Sequence, residues 1–521
     1  MKFLFKYYLL LLSVFAPYFA CNTSELAALN DHPDDLYEIN WNYLFTDGIL
    51  LAAENRQSQN VQLFYCSAMI QHLADLEVTL GLGNGDKYFK KEEWTGTYYS
   101  NCYVGITKKF DEAIRQTGPA GNDPQMVNLH HATRVMRVFV YHRCADLYGD
   151  IPYSEANKAY DEGIFFPVFD RQKDIYLDML KELSEAAEGF DKNQTDKIFN
   201  SQDIIYDGDV DKWKKFAYSL MLRLAMRISL VDASTAQVYV TEAINGGVFT
   251  GNADNARVPR ASGPNTFINS NGISMWLNPD FGATKAKLSD TFIDFLRDNN
   301  DPRLMIITSG IGQFGSSDKI VDPALQKGMP NGFDASSIRE YEGVMEDVDV
   351  ETTYSKVNEL LLDLDDPNLF QTYAEVEFLL AEAAVRGWHS ADPADHYNKG
   401  VRAAMQMYDI FDPSLTVSDA EVDAYLAAHP YDTDKGLEMI GTQYWVATFL
   451  NFYETYANWR RTGFPVLEPV NYPGNHTNGT IPRRMIFEKA AVSRNEANYQ
   501  AAINRMGGDE LTTKVWWDGG N

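Results

Sequence analysis

Over much of the chain, apolar residues recur at mixed three- and four-residue spacings, the signature of helices with one buried face. Residues 125–148 place Val127, Leu129, Val135, Val138, Phe139 and Leu147 in this way. Residues 170–190 follow the same rule with Ile175, Leu177, Leu180, Leu183, Ala186 and Ala187, and Asp170 reads as the N-cap. A third helix is predicted over 211–231, from Trp213 through Phe216, Leu220, Leu224 and Ile228. A shorter one over 234–245 stops at Gly246-Gly247. In the C-terminal half, 370–386 runs to a stop at Gly387, 394–408 follows at once, and 437–459 is predicted as one long helix. The 370–386 and 394–408 segments predict a helical hairpin, in which Ala383, Ala384, Ala403 and Ala404 permit close approach.

Paired helices with small residues at their crossings suit tetratricopeptide-like repeats, although the period is not clean, and a generic helical bundle fits the pattern equally. Two middle stretches, 249–283 and 309–368, break the periodicity with Gly, Asn, Asp, Ser and Pro. Long irregular segments in a compact domain are commonly functional. These carry Trp276, Phe281, Phe314 and Tyr341 and are therefore predicted as ordered surface loops.

The N-terminus follows a third pattern. Lys2 and Lys6 accompany an almost continuous apolar run from Leu4 to Phe15, closed by Phe19-Ala20-Cys21. The run is shorter than the ~20 apolar residues of a spanning helix. It predicts a cleaved export signal over 1–20, with Cys21 as the lipidated residue of a lipoprotein box. Tyr18 and Phe19 depart from the usual Leu and small residue of that box, and an ordinary signal with an incidental Cys21 is the alternative. Residues 21–40 read as a tether and 41–521 as one mainly α-helical domain.

Charge removes one class of partner. The 521 residues include 45 Lys and Arg against 73 Asp and Glu, a formal net charge of -28. Such a surface repels phosphate backbones and argues against nucleic acid. Apart from Cys21, Cys66, Cys102 and Cys144 form an odd trio, read as mostly buried thiols with no pairing legible. The chain has no His-Glu-x-x-His, Cys-x-x-Cys, Gly-x-Ser-x-Gly or phosphate-loop motif. His130 and His131 are adjacent, about 100° apart on a helix, and make a poor chelate. Asp207, Asp209 and Asp211 begin like a calcium loop, but Lys212 and Tyr218 stand where the turn glycine and bidentate Glu belong. Asp211 reads instead as an N-cap. Asp347, Asp349 and Glu351 form a second acidic cluster, read as either a calcium site or a solvated loop; no other cofactor is expected. A glycosidase-type carboxylate pair, ~5 to 9.5 Å apart, is not legible in spacing. A helical glycoside-active enzyme and a protein-binding repeat scaffold therefore stand as rival readings.

Several stretches are informative together. Tyr148-Gly149-Asp150-Ile151-Pro152-Tyr153-Ser154-Glu155-Ala156 follows a long helix, and Phe169-Asp170-Arg171-Gln172 opens the next. Asp203-Ile204-Ile205-Tyr206-Asp207-Gly208-Asp209 precedes Trp213 and Leu222-Arg223-Leu224-Ala225-Met226-Arg227-Ile228. Asn300-Asp301-Pro302-Arg303-Leu304, Tyr373-Ala374-Glu375-Val376-Glu377-Phe378 and Asn458-Trp459-Arg460-Arg461-Thr462-Gly463-Phe464-Pro465 follow in order. In this order they resemble the SusD/RagB-like nutrient-binding outer-membrane lipoproteins of Bacteroidetes, specifically the second SusD-like subgroup. The resemblance implies a helical fold of tetratricopeptide-like pairs with long irregular ligand-binding loops. It also implies a lipid-anchored cell-surface address, no catalysis, and capture of oligosaccharide or, in some members, peptide. Delivery would be to a SusC-like TonB-dependent outer-membrane transporter within a polysaccharide-utilisation or related uptake system. The shared motifs are expected to be mainly structural. Gly149 would supply a turn conformation, and Arg460 and Arg461 would pair with carboxylates or helix-end carbonyls.

Sugar rings present apolar faces and polar rims, so a binding surface needs exposed aromatic rings beside amides and carboxylates. Two regions offer both. The first, Trp94 to Asn101, contributes Trp94, Tyr98 and Asn101, although Trp94 and Tyr98 are four apart and equally suit a core-facing helix. The second, the middle loops, contributes Asn271, Trp276, Asn278, Phe281, Phe314 and Tyr341. Trp276, flanked by Gly272 and Pro279, is the leading expectation.

Overall fold

The computed structural model describes residues 42–53, 59–118, 126–194, 196–264, 267–272, 274, 276–278 and 286–521. The signal over 1–20, Cys21 and the tether to residue 40 lie outside the described residues. The described residues belong to one unit, Asn42–Asn521. Among them no helix is long and apolar enough to cross a membrane.

The longer helices are α1 (Asn42–Ala52), α2 (Thr107–Thr117), α3 (Val127–Tyr148), α4 (Gln172–Gly189), α5 (Val210–Arg227), α6 (Ala233–Gly246), α7 (Asp290–Asp298), α8 (Tyr373–Val385), α9 (Pro393–Gln406), α10 (Asp419–Ala428), α11 (Gly436–Ala447), α12 (Phe452–Thr462) and α13 (Glu496–Met506). Sequence neighbours pack as pairs: α3 on α4, α5 on α6, α8 on α9 and α11 on α12. In the α8–α9 hairpin Ala383, Ala403 and Ala404 are buried. A Cβ on Gly400 would stand 2.7 Å from the Phe378 ring, so small residues set the approach there. The strands are short and antiparallel: β1 (Leu73–Ala74) with β5 (Lys287–Leu288), β2 (Ile151–Pro152) with β3 (Phe169–Asp170), and β4 (Ala256–Val258) with β6 (Asn368–Gln371).

Three local expectations are corrected. The single helix over 437–459 is two, α11 and α12, because Leu450 adopts φ +71° and leaves the helical region. Thr455 Oγ1 then donates to Thr448 O at 2.9 Å across the break. Asp170 does not cap α4; it sits in β3 and accepts the Tyr153 and Ser154 amides at 2.9 and 2.8 Å. The cap of α5 is Asp209 rather than Asp211, and its carboxylate accepts the Lys212 amide at 3.1 Å.

The charged residues of the recurring motifs turn inward and join the helices. Arg223 of α5 forms a forked pair with Glu375 of α8 at 2.6 and 2.7 Å. One turn on, Arg227 grips Glu454 of α12 at 2.6 Å to both oxygens, and Tyr444 of α11 donates to the same carboxylate at 2.8 Å. Arg461 of α12 forks onto Glu382 of α8 at 2.6 Å twice. Arg460 donates to the Asp146 and Arg483 carbonyls at 2.8 Å each. Asp301 holds Arg303 at 2.9 and 2.5 Å, and Asp203 gathers the Ile205 and Gly208 amides and the Trp213 indole N–H. Buried charges in this number persist only when paired and hydrogen-bonded. The motifs are thus the interlocking parts of the helical body. Gly149 ends α3 at φ +83°, where a Cβ would lie 2.7 Å from Met506 Sδ.

Cys66, Cys102 and Cys144 are buried, and burial pushes the Cys102 thiol pKa well up. The loops after α7 are ordered by backbone bonds such as Ser355 N to Lys327 O at 2.7 Å. They fold over a small core of Ala74, Met329, Ile338 and Tyr354.

Candidate functional site

Beneath the irregular loops lies a buried polar knot. Trp276 Nε1 donates to Asp75 Oδ2 at 3.0 Å, and Lys87 Nζ donates to Asp75 O at 2.6 Å and to Asp86 Oδ2 at 2.7 Å. Asp86 in turn accepts the Asn331 side chain and the Gly332 amide, the latter at 3.0 Å. The knot fixes where the loop after residue 330 leaves the core. Burial pushes the Asp75 carboxyl up to about 6, against the pull of Lys87.

Above the knot, three chain segments bring aromatic rings into a row. Tyr341 packs on Phe333 with centroids 4.9 Å apart. Asp334, next to Phe333, accepts Tyr472 Oη at 2.6 Å. Tyr472 meets Phe89 edge-on at 5.9 Å, and Phe89 meets His476 at 5.5 Å. Lys87 Nζ lies 5.9 Å over the Tyr472 ring and ties the row to the knot. Tyr341 is 56% exposed; Phe333, Tyr472 and Phe89 are half-buried and His476 is exposed. Asp334 is held down at about 2 by the Tyr472 hydroxyl and the Ser336 and Ser337 amides. A row of rings with a fixed carboxylate among them can stack on sugar faces and accept from their hydroxyls.

Of the residues read from sequence, only Tyr341 belongs to this row. Trp276 is corrected from an exposed loop ring to a core one: it is 8% exposed, packs on Phe64 at 4.7 Å and presses against Gly81. Tyr98 is 2% exposed and meets Tyr453 at 5.1 Å, so the core-facing alternative holds for it. Asn271 is buried as well. Trp94 is half-buried, with Phe64 at 5.3 Å on one side and Lys91 Nζ 3.7 Å over its ring. Asn101 is half-buried. Asn278 Nδ2 donates to Gly272 O at 2.7 Å and Leu362 O at 3.3 Å. Phe314 is half-buried beneath Lys356 Nζ, 3.8 Å from its centroid. Phe281 lies outside the described residues. Phe333, Phe89 and the Tyr472–His476 pair were missed because they come from three loops far apart in the chain, and only tertiary contact assembles them.

The acidic clusters are otherwise engaged. Asp347 meets Arg339 at 3.0 Å, Asp349 caps a short helix, and Glu351 meets Lys287 at 2.7 Å. The 203–209 loop closes on Asp203 rather than around the alternating Asp207, Asp209 and Asp211. Among the described residues no group of three His, Cys, Asp or Glu converges on a metal position.

A second concavity, a cleft of about 910 Å³, lies between α2, α3, α4 and the 153–162 loop. Its polar groups satisfy one another: Arg137 pairs with Asp111 at 2.6 Å and Tyr153 donates to Asp178 at 2.8 Å. Tyr160, 95% exposed, is its free-standing ring. A lone ring beside self-paired charges suits sugar stacking less than the row on the loop face.

A family model described as SusD-like, starch-binding and associating with the outer membrane, matches residues 33–488. No curated protein sequence matches. Among solved structures, a chitin-binding protein is 31% identical with TM-score 0.79, over 92% of this chain and 100% of that one. A Bacteroidetes SusD-like protein is 26% identical with TM-score 0.80 over the same shares. A SusD homologue from Bacteroides uniformis is 24% identical with TM-score 0.74, again over 92% and 100%.

Proposed function

The chain belongs to the SusD-like family of starch-binding proteins associated with the outer membrane, and from that premise we propose that it captures oligosaccharide at the cell surface and passes it to a SusC-like TonB-dependent transporter. Cys21 would be the lipid anchor and residues 21–40 the leash. The observation that carries the binding reading is the row Tyr341–Phe333–Tyr472–Phe89, laid over a buried knot that fixes its loops. The similar chitin-binding structure makes β-linked amino-sugar oligomers the first ligands to test, with starch fragments beside them. Family members are binding proteins, and the row suits binding without turnover. Its carboxylate, Asp334, is held at about 2 and gives no proton to a leaving group near neutrality.

The test is calorimetry against chitooligosaccharides, maltooligosaccharides and peptides, with product analysis of each mixture. Saturable sugar binding without new reducing ends supports the proposal. Binding confined to peptides, or turnover lost on replacing one carboxylate, overturns it. Recovery of a large barrel protein with the chain from solubilised outer membranes tests the delivery step, and its absence would contradict that step.

A further inference from the structure

At the connection between α8 and α9, His389 Nε2 stands 3.1 Å from His396 Nε2. Behind His396, Glu377 Oε2 lies 2.6 Å from Nδ1. Glu377 comes from α8, His389 from the connection and His396 from the first turns of α9. Glu377 and His396 are buried, and His389 is half-buried.

With His396 neutral, this geometry orders the protons. The carboxylate accepts the Nδ1 proton of His396, so Nε2 of that ring carries a lone pair. That lone pair faces Nε2 of His389, which donates its proton across the 3.1 Å gap. Two imidazole nitrogens on one tetrahedral zinc, each at about 2.0–2.1 Å, lie about 3.3 Å apart. The two rings therefore already stand at ligand spacing. Moving the His389 ring proton from Nε2 to Nδ1 frees a lone pair on both Nε2 atoms, and a swing of the half-buried His389 ring off the hydrogen-bond line would bring both onto one ion. A carboxylate on the far nitrogen of a ligating histidine fixes its tautomer and raises its basicity.

We propose that His389 and His396 bind a zinc-class divalent cation through their Nε2 atoms, with Glu377 as the positioning residue behind His396. His389 lines an open depression with Thr241, Asn245, Trp388 and Ser390, and water would take the remaining coordination positions. Imidazole favours zinc, copper and nickel over calcium and magnesium, so the site is chemically distinct from the acidic surface around it. The bound ion would cross-link the α8–α9 connection.

The test is zinc titration of the purified full chain by calorimetry, with excess magnesium to occupy surface carboxylates. Cobalt absorption in the visible range reads nitrogen coordination independently. One equivalent is expected, with affinity falling at least about tenfold in His389→Ala and in His396→Ala, and about tenfold in Glu377→Gln. His389→Asn, at a half-buried turn position, serves where the alanine variants misfold, and circular dichroism verifies the fold of each. Equal zinc affinity in the native chain and the folded histidine variants would overturn the proposal. So would no zinc binding under magnesium, which would leave the pair as a histidine–histidine hydrogen bond.

Discussion

Replacing Trp276 separates a core ring from a ligand-binding one. The indole is 8% exposed, packs on Phe64 and donates to buried Asp75 at 3.0 Å. Trp276→Ala removes a large buried ring, a change that costs about 3–5 kcal/mol in well-packed cores. It also strips a donor from a buried carboxylate, worth about 1–3 kcal/mol. The combined loss is on the order of 4–8 kcal/mol, a large fraction of a typical domain's stability. Trp276→Phe keeps most of the packing and loses the N–H, so its cost falls near the hydrogen-bond term, about 1–3 kcal/mol. Denaturant unfolding followed by circular dichroism measures both, and calorimetry on the folded phenylalanine variant measures sugar affinity. That affinity should stay within about twofold of native, since a change under about 0.4 kcal/mol is expected of a ring that does not touch ligand. A stable Trp276→Ala variant with sugar binding abolished would refute the reasoning, because the ring would then be at the ligand and not under the loops.

Glu382→Gln breaks the forked pair with Arg461 and should cost about 3–5 kcal/mol in unfolding free energy, since it leaves a buried guanidinium uncompensated; a loss below 1 kcal/mol would contradict the pairing. Gly149→Ala forces a side chain onto φ +83° and against Met506 Sδ; about 1–3 kcal/mol of destabilisation is expected from the backbone alone, read as a lower melting temperature. Burial raises Asp75 to about 6, and burial together with Asp363, Asp365 and Asp412 raises Asp366 to about 7. The fold thus binds these protons more tightly than the unfolded chain, whose aspartates titrate near 3.9. Their contribution to stability is complete below that value and is lost as pH rises through about 6 and 7. Denaturant midpoints taken from pH 5 to 8 should show this fall, and Asp75→Asn should flatten the part near pH 6; an unchanged slope would remove Asp75 from the account.

The helical half was legible because its signal is local. Three- and four-residue apolar spacing located α3, α4, α5, α6, α8 and α9 to within a few residues, and Gly247 and Gly387 stop α6 and α8 at positive φ. The break at Leu450 was invisible because nothing in an apolar stretch marks a leucine that will take φ +71°. The ordered motifs pointed to the right family, and the structure supplies their physical reason in the Arg223–Glu375, Arg227–Glu454 and Arg461–Glu382 pairs. The binding face was barely legible. Trp276 and Tyr341 look alike in sequence, each an aromatic residue in a polar loop, yet one faces Asp75 and the other solvent. Burial in irregular chain follows tertiary contacts with no period. Tyr472 and Phe89, 383 positions apart by number, carried no shared signal until the fold brought their rings together.

The central claim is that sugar lies along the row on the loop face rather than in the cleft on the helical face. The most direct measurement is oligosaccharide affinity by calorimetry in Tyr472→Ala and Tyr160→Ala, side by side. Loss of a stacking ring is expected to weaken binding at least about tenfold, or about 1.4 kcal/mol, in Tyr472→Ala and to leave Tyr160→Ala at native affinity. Native affinity in Tyr472→Ala with binding lost in Tyr160→Ala would contradict the account and move the ligand to the cleft.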